Sequence, residues 1–282
     1  MYSKNEKSIV KIKSWNELHE ILFKDWYNEK IGRYRAPQIF RGLSDYSYKL
    51  TTNLMRLGGP YKILEPYLLM SFKRYSGLET LNFDSLWYWM ILGQHYGLPT
   101  RLLDWSHSPL VAMHFATSNI RKFDVDGVIW VVNFSKTGEF LPKILKDTAT
   151  KLETPIFPFE ALDDALNISG DMRSLKTLTE AFKKLNELSE SEFVVFLEPP
   201  SIDDRIKSQV ALFSFMSDPS LSMDDWLKMQ NIPGLWKKII IPAELKVEIR
   251  DKLDRMNVSE RLLFPGLDGL CKLLARHYAT IQ

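Results

Sequence analysis

The stretch Gln94-His95-Tyr96-Gly97-Leu98-Pro99-Thr100-Arg101-Leu102-Leu103-Asp104-Trp105-Ser106-His107-Ser108, continuing as PLVAMHFA to Ala116, decides how this chain is read. It gathers Gln94, His95, Tyr96, Thr100, Arg101, Asp104, Trp105, Ser106 and Ser108 into fifteen residues between two apolar segments. Ser108 suits a helix N-cap. Pro109 suits the first helical position, where its missing N–H is no loss, so a helix is expected over Pro109 to Thr117. Upstream, Ser85 to Tyr96 carries apolar and aromatic residues at helical spacing and stops at Gly97, so it reads as a second helix. A polar loop held between two apolar helices is where a rigid scaffold presents functional groups.

Toward the N-terminus, Pro37-Gln38-Ile39-Phe40-Arg41-Gly42 is a short β-prone run closed by glycine, read as a strand ending in a turn. Arg41 then projects from the strand end, and Gly42 lets the chain turn or a ligand approach. The planar donor fork of arginine suits phosphate or carboxylate; the alternative is a pairing with a surface acid. Asp104 is placed to pair with Arg41 or Arg101 and orient it, the alternative being a polar network that only ties helix to strand. Ser14 followed by Glu17 is a capping-box pattern that opens a helix over Ser14 to Lys24, and Glu65 to Tyr75 reads as another.

Toward the C-terminus, Gly127 to Asn133, Phe193 to Leu197, Gln209 to Phe215 and Trp236 to Pro242 are strand candidates. Ala243 to Met256 and Leu267 to His277 read as helices, and residues 138–190 as a helical insertion with little sign of strand. No Gly/Ser/Pro linker and no internal repeat divides the chain. The expected fold class is therefore α+β: a single domain over residues 1–282 with a small mixed β-sheet core, a helical N-terminus, the helical insertion and C-terminal helices.

Composition narrows the function classes. Hydrophobic residues at 45% and charged residues at 26% are a globular profile. The balance of 37 basic and 35 acidic residues gives a net charge of +2, so no global field draws in nucleic acid or an anionic membrane, although a local basic groove is compatible with it. The single cysteine, Cys271, excludes an internal disulfide and a multi-cysteine zinc site, fits a reducing cytosol, and is expected to pack in GLCKLLARHY. MYSKNEKSIVKIKSWNEL lacks the marks of a secretory signal, and no run of about 18 apolar residues exists, so a cytoplasmic location without a membrane partner is expected. The phosphate-binding glycine motifs, H-E-x-x-H and G-x-S-x-G are all absent, and no metal is expected. His95 reads as a helix-end cap or as an acid–base group. Glu190 and Glu192 read as general-base candidates or as a solvated strand entry.

Four blocks together resemble the FRG-domain family: Phe40-Arg41-Gly42; the long QHYGLPTRLLDWSHSPLVAMHFA block; Arg205-Ile206 with Gln209 and Phe213 in RIKSQVALF; and Leu263 to Gly269, LFPGLDG. More distantly, Phe40-Arg41-Gly42 and the Ser106-His107-Ser108 turn before Ala112 to Ala116 resemble the ADP-ribosyltransferase fold of the arginine-serine-glutamate type. That resemblance implies NAD as substrate, with Arg41 holding it through ribose and phosphate and Ser106 or Ser108 supporting the nicotinamide ribose. The cofactor-binding set it implies is Arg41, Gly42, Thr100, Arg101, Asp104, Trp105, Ser106 and Ser108, and the catalytic set is Arg41, His95, Gln209 and Glu192. Where the family carries its glutamate, strand counting places Gln209, and the other alignment places Glu192; a glutamine positions but cannot act as a base. The acceptor implied is RNA, DNA or protein, and the role that of a bacterial toxin or phage-defence effector with an antitoxin protein as partner. Two other readings stand beside it: a metal-independent nuclease using Arg41, His95, Arg101 and Asp104, and a non-catalytic module that binds a nucleotide or phosphate.

Overall fold

The computed structural model describes residues 8–24, 26–29, 31–77, 85–168, 174–202 and 204–279. Its strands are β1 (Ile9–Lys11), β2 (Tyr27–Asn28), β3 (Arg33–Tyr34), β4 (Gln38–Leu43), β5 (Leu103–Ser106), β6 (Gly127–Asn133), β7 (Ile156–Pro158), β8 (Val194–Glu198), β9 (Ala211–Met216) and β10 (Trp236–Ile241). Eight of them form one mixed sheet in the order β1-β10-β6-β4-β5-β9-β8-β7, while β2 and β3 pair separately. The edge pairs β1–β10 and β7–β8 are parallel and all pairs between them antiparallel. The class is α+β, as expected, but the sheet is large where a small core was expected.

Residues alternate between the faces of a strand, so one buried on both sides reads as an unbroken apolar run. In β6, Val128, Trp130 and Val132 enter one apolar layer and Ile129 and Val131 another. The first layer crosses the sheet from Trp236 to Phe196 and is closed by Trp226 and Leu227 of the helix Met223–Met229. The other face carries two groups of helices. Trp15–Phe23, Pro109–Thr117 and Lys246–Arg255 pack around Phe40, Ile129 and Ile239. Tyr61–Tyr75, Leu86–His95, Phe159–Leu166 and Leu175–Asn186 pack around Val195, Phe213 and Phe215. Leu103 and Trp105 of β5 belong to the first layer, so alternation turns Asp104 and Ser106 toward the seam between the two helical groups.

The helix Pro109–Thr117 begins and ends as expected, and Ser14 caps Trp15–Phe23 by accepting the Glu17 N–H at 3.2 Å. Several expectations need correction. Residues 138–190 are not purely helical: Ile156–Pro158 forms the edge strand β7 against β8, too short to show a period, and residues 169–173 lie outside the described residues. The second half of the expected loop, Leu103–Ser106, is a central strand. The strand expected from Gln209 starts at Ala211, because Gln209 closes the turn after Asp204–Ser208 and Val210 sits at φ 45°. A 3-10 turn, Ala243–Leu245, precedes the helix Lys246–Arg255. Cys271 is exposed rather than packed.

Gly42 makes no turn, since β4 continues through Leu43. A Cβ there would run into the carbonyl oxygen of Ala112 and lie 2.7 Å from the amide nitrogen of Ala116. Glycine is required so that Pro109–Thr117 can lie directly on the strand carrying Arg41.

Candidate functional site: a cationic cleft where two strands part

β4 pairs with β6 along its whole length, from Gln38 to Leu43, but with β5 only through Phe40 opposite Ser106. Past that one pair β4 and β5 diverge, and a cleft of about 430 Å³ opens there. Its polar lining includes Arg41, Tyr48, Arg56, Asp104, Arg205 and Gln209, and the helix Pro109–Thr117 supplies Ala112 and Phe115.

The Arg41 side chain is 17% exposed and reaches across the gap. Its Nη1 donates to the backbone carbonyl of Asp104 and lies 3.6 Å from the Asp104 carboxylate, while Nε is buried with no hydrogen-bond partner among the described residues. Burial lowers its pKa, Asp104 opposes that, and nearby Arg56 adds to the lowering. The guanidinium is therefore undercompensated: one half-exposed acid faces it, and a second cation lies close by. A buried donor left unmade is costly, and an incoming oxyanion would relieve it.

Asp104 is the only carboxylate among the described residues that line the cleft. Its side chain, 56% exposed, accepts from Gln94 Nε2 at 3.3 and 3.5 Å. Gln94 Oε1 accepts in turn from Thr100 Oγ1 at 2.7 Å, and Thr100 Oγ1 accepts the Leu102 N–H at 3.1 Å. Ser106 Oγ donates to the Gln209 carbonyl at 2.7 Å and accepts the Ser108 N–H at 3.0 Å, which pins the end of β5 to the turn before β9. Trp105 borders the cleft, but it is 3% exposed and its indole N–H is spent on Ser214 Oγ at 2.8 Å.

Other expected site residues fall elsewhere. Arg101 is fully buried: its Nε donates to both oxygens of Glu65 at 2.7 and 2.9 Å, Nη2 to Asn186 Oδ1 at 2.8 Å, and Nη1 to the Ser217 carbonyl at 3.1 Å. It is a structural cation and does not line the cleft. Thr100 and Ser108 are outside the lining as well; Ser108 Oγ caps its helix by accepting the Val111 N–H. His95 lines an adjoining recess of about 340 Å³ with Phe264 and Lys272, which meets the cleft at Arg205. Glu192 cannot serve the cleft. β8 and β9 are antiparallel with Val194 opposite Met216, so Glu192, hydrogen-bonded by Ser217 Oγ, sits at the far end of β9 from Gln209. The separation is about 20 Å, six residues of strand. Gln209 does line the cleft, and its Nε2 donates to the Leu263 carbonyl at 2.9 Å, joining the RIKSQVALF and LFPGLDG blocks. Arg56 carries no signal in the sequence, because it lies in a 3-10 turn, Met55–Leu57, with no motif around it. Arg205 had a signal, its place in a motif block beside Gln209.

Residues 36–125 match the family model described as FRG domain, and the chain carries an FRG domain over that span. The span contains β4, β5 and the helix Pro109–Thr117, so it supplies Arg41, Arg56 and Asp104, while Arg205 and Gln209 come from outside it. Neither the curated proteins nor the solved structures contain a match. Among the described residues no helix is long and apolar enough to cross a membrane.

Proposed function

We propose that the cleft binds NAD and that the chain is an ADP-ribosyltransferase-like enzyme, passing ADP-ribose to a nucleic acid or protein acceptor. The observation that carries this is Arg41, held in the gap between diverging strands with no hydrogen-bond partner for Nε among the described residues, with Arg56 and Arg205 on the same walls and Asp104 the one carboxylate among the described residues that line the cleft. Three guanidinium groups suit a diphosphate, and a volume of about 430 Å³ lies within the range of small-molecule sites. Tyr48 and Phe115 add aromatic side chains to the lining, the residue type that packs against a base or a nicotinamide ring. Breaking the nicotinamide bond builds positive charge on the ribose, so anchoring the diphosphate and presenting a carboxylate nearby are what the reaction asks of a protein. The distant resemblance of Phe40-Arg41-Gly42 and Ser106-His107-Ser108 to that class of enzyme supports the same reading.

A second reading, a nucleotide-binding module without turnover, is favoured by one observation: Gln209, the residue that strand counting set against the glutamate of such enzymes, lines the cleft as an amide with its nitrogen tied to Leu263. The nuclease reading loses its constellation, since Arg101 is sealed away and His95 lies in the adjoining recess. Nicotinamide release by purified protein, alone and with RNA, DNA or cell lysate, tests the proposal. Release by the wild type and a drop of about 100-fold in Arg41→Ala are expected. A wild type that neither releases nicotinamide nor transfers label overturns it.

A further inference from the structure

Resting on the reading of the cleft as an NAD site, we propose that Asp104 is its catalytic carboxylate, aimed by Gln94 and Thr100. The two positions that resemblance put forward for this role, Gln209 and Glu192, do not fill it: the first has no carboxylate and the second is at the wrong end of the sheet. Asp104 has both the charge and the place.

The hydrogen bonds around it have one consistent direction. Thr100 Oγ1 takes the Leu102 N–H, so its own proton goes to Gln94 Oε1. Gln94 thereby has its carbonyl end fixed and must present its NH₂ group to the Asp104 carboxylate. The Asp104 backbone carbonyl is clasped by Arg41 Nη1, so anion anchor and carboxylate share one frame. Glu65 shows the contrast: it is saturated by Arg101 and 3% exposed. Asp104 keeps more than half of its side chain open toward the space a ligand would occupy. A simple counter-ion for Arg41 leaves the Gln94–Thr100 arrangement without a purpose; a carboxylate that must face a developing cation at a set angle explains it.

The bond between ribose C1′ and the nicotinamide nitrogen breaks, and both electrons leave with nicotinamide, which departs neutral. The positive charge left on C1′ and the ring oxygen faces the Asp104 carboxylate. A hydroxyl of the acceptor, or water, attacks C1′ with an oxygen lone pair, and its proton passes to Asp104 and from there to solvent.

The test uses full-length protein with Asp104→Asn, which preserves side-chain volume, and Gln94→Ala, each checked for a wild-type melting temperature. Calorimetric NAD affinity and nicotinamide release are measured on both. Asp104→Asn is expected to hold NAD within about 3-fold of wild type while release falls about 100-fold. Gln94→Ala is expected to lower kcat about 10-fold with KM nearly unchanged. Asp104→Asn with wild-type turnover, or with binding and turnover lost in equal measure, overturns the assignment while the NAD site stands. A wild type that neither binds NAD nor releases nicotinamide overturns the underlying reading and this assignment with it.

Discussion

Arg41 and Arg101 place the same guanidinium in two opposite settings. Arg101 is sealed between Glu65, Asn186 and the Ser217 carbonyl, with its guanidinium carbon 5.4 Å from the centre of the Phe182 ring, and both terminal nitrogens and Nε have partners. Arg41 is also largely covered, yet among the described residues its Nε has no hydrogen-bond partner and its one ion-pair acid, Asp104, lies 3.6 Å away, and it opens onto a cleft. Burial does not tell these two cations apart. Compensation does: a guanidinium whose donors are all spent holds the fold together, and one with donors to spare is ready for an anion.

Removing each cation should therefore have opposite consequences. Arg101→Leu strands the buried Glu65 carboxylate and should cost about 3–5 kcal/mol, read as a collapse of the denaturation midpoint or as loss of soluble protein. Arg41→Ala should cost less than about 1 kcal/mol in the same urea titration, because its partner Asp104 is half in water. Equal destabilisation by the two would break the distinction.

The Arg41 region also depends on a feature with no charge at all. Gly42→Ala should cost about 3 kcal/mol by forcing Pro109–Thr117 off β4, and should weaken NAD binding through the displaced cleft wall. Thermal melting together with calorimetry checks both effects, and unchanged melting would contradict the close strand–helix approach.

The smallest expected effect lies in the layer that houses Arg101. Asp163, on Phe159–Leu166, is the poorly compensated charge there: burial raises its pKa to about 6, the Ser85 hydroxyl opposes this, and Asp164 and Glu160 add to it. The unfolded value is near 3.8, so the protonated form favours the fold. The contribution is full below about pH 3.8 and is lost as pH rises through about 6. Asp163→Asn should then melt a few degrees above wild type at pH 7.5, about 2–4 °C, and level with it near pH 4. An equal difference at both pH values would mean that titration is not the cause.

How much of this was legible in the sequence follows from what a pattern can encode. β6 and most of β8 are unbroken apolar runs and β10 ends in three isoleucines, so these strands could be read directly, as could the Ser-Pro start of Pro109–Thr117. β1 and β7 have three residues each, too few to display alternation, so the true width of the sheet was hidden. At the site, polar density found Arg41, Asp104 and Ser106 but also swept in Arg101. Density counts residues and carries no direction: Arg101 lies just before β5 and points into the helical layer, while Asp104 lies on the strand and faces the seam. Gln209 and Glu192 were separable only once the antiparallel pairing of β8 with β9 put them at opposite ends.

The cleft reading makes Arg41 an anion anchor and not a structural ion pair. Isothermal titration of NAD into wild type and Arg41→Ala, at matched melting temperature, tests it most directly. Saturable binding to the wild type that is lost in the variant is expected. Identical isotherms for the two proteins, or no binding to the wild type, would contradict it.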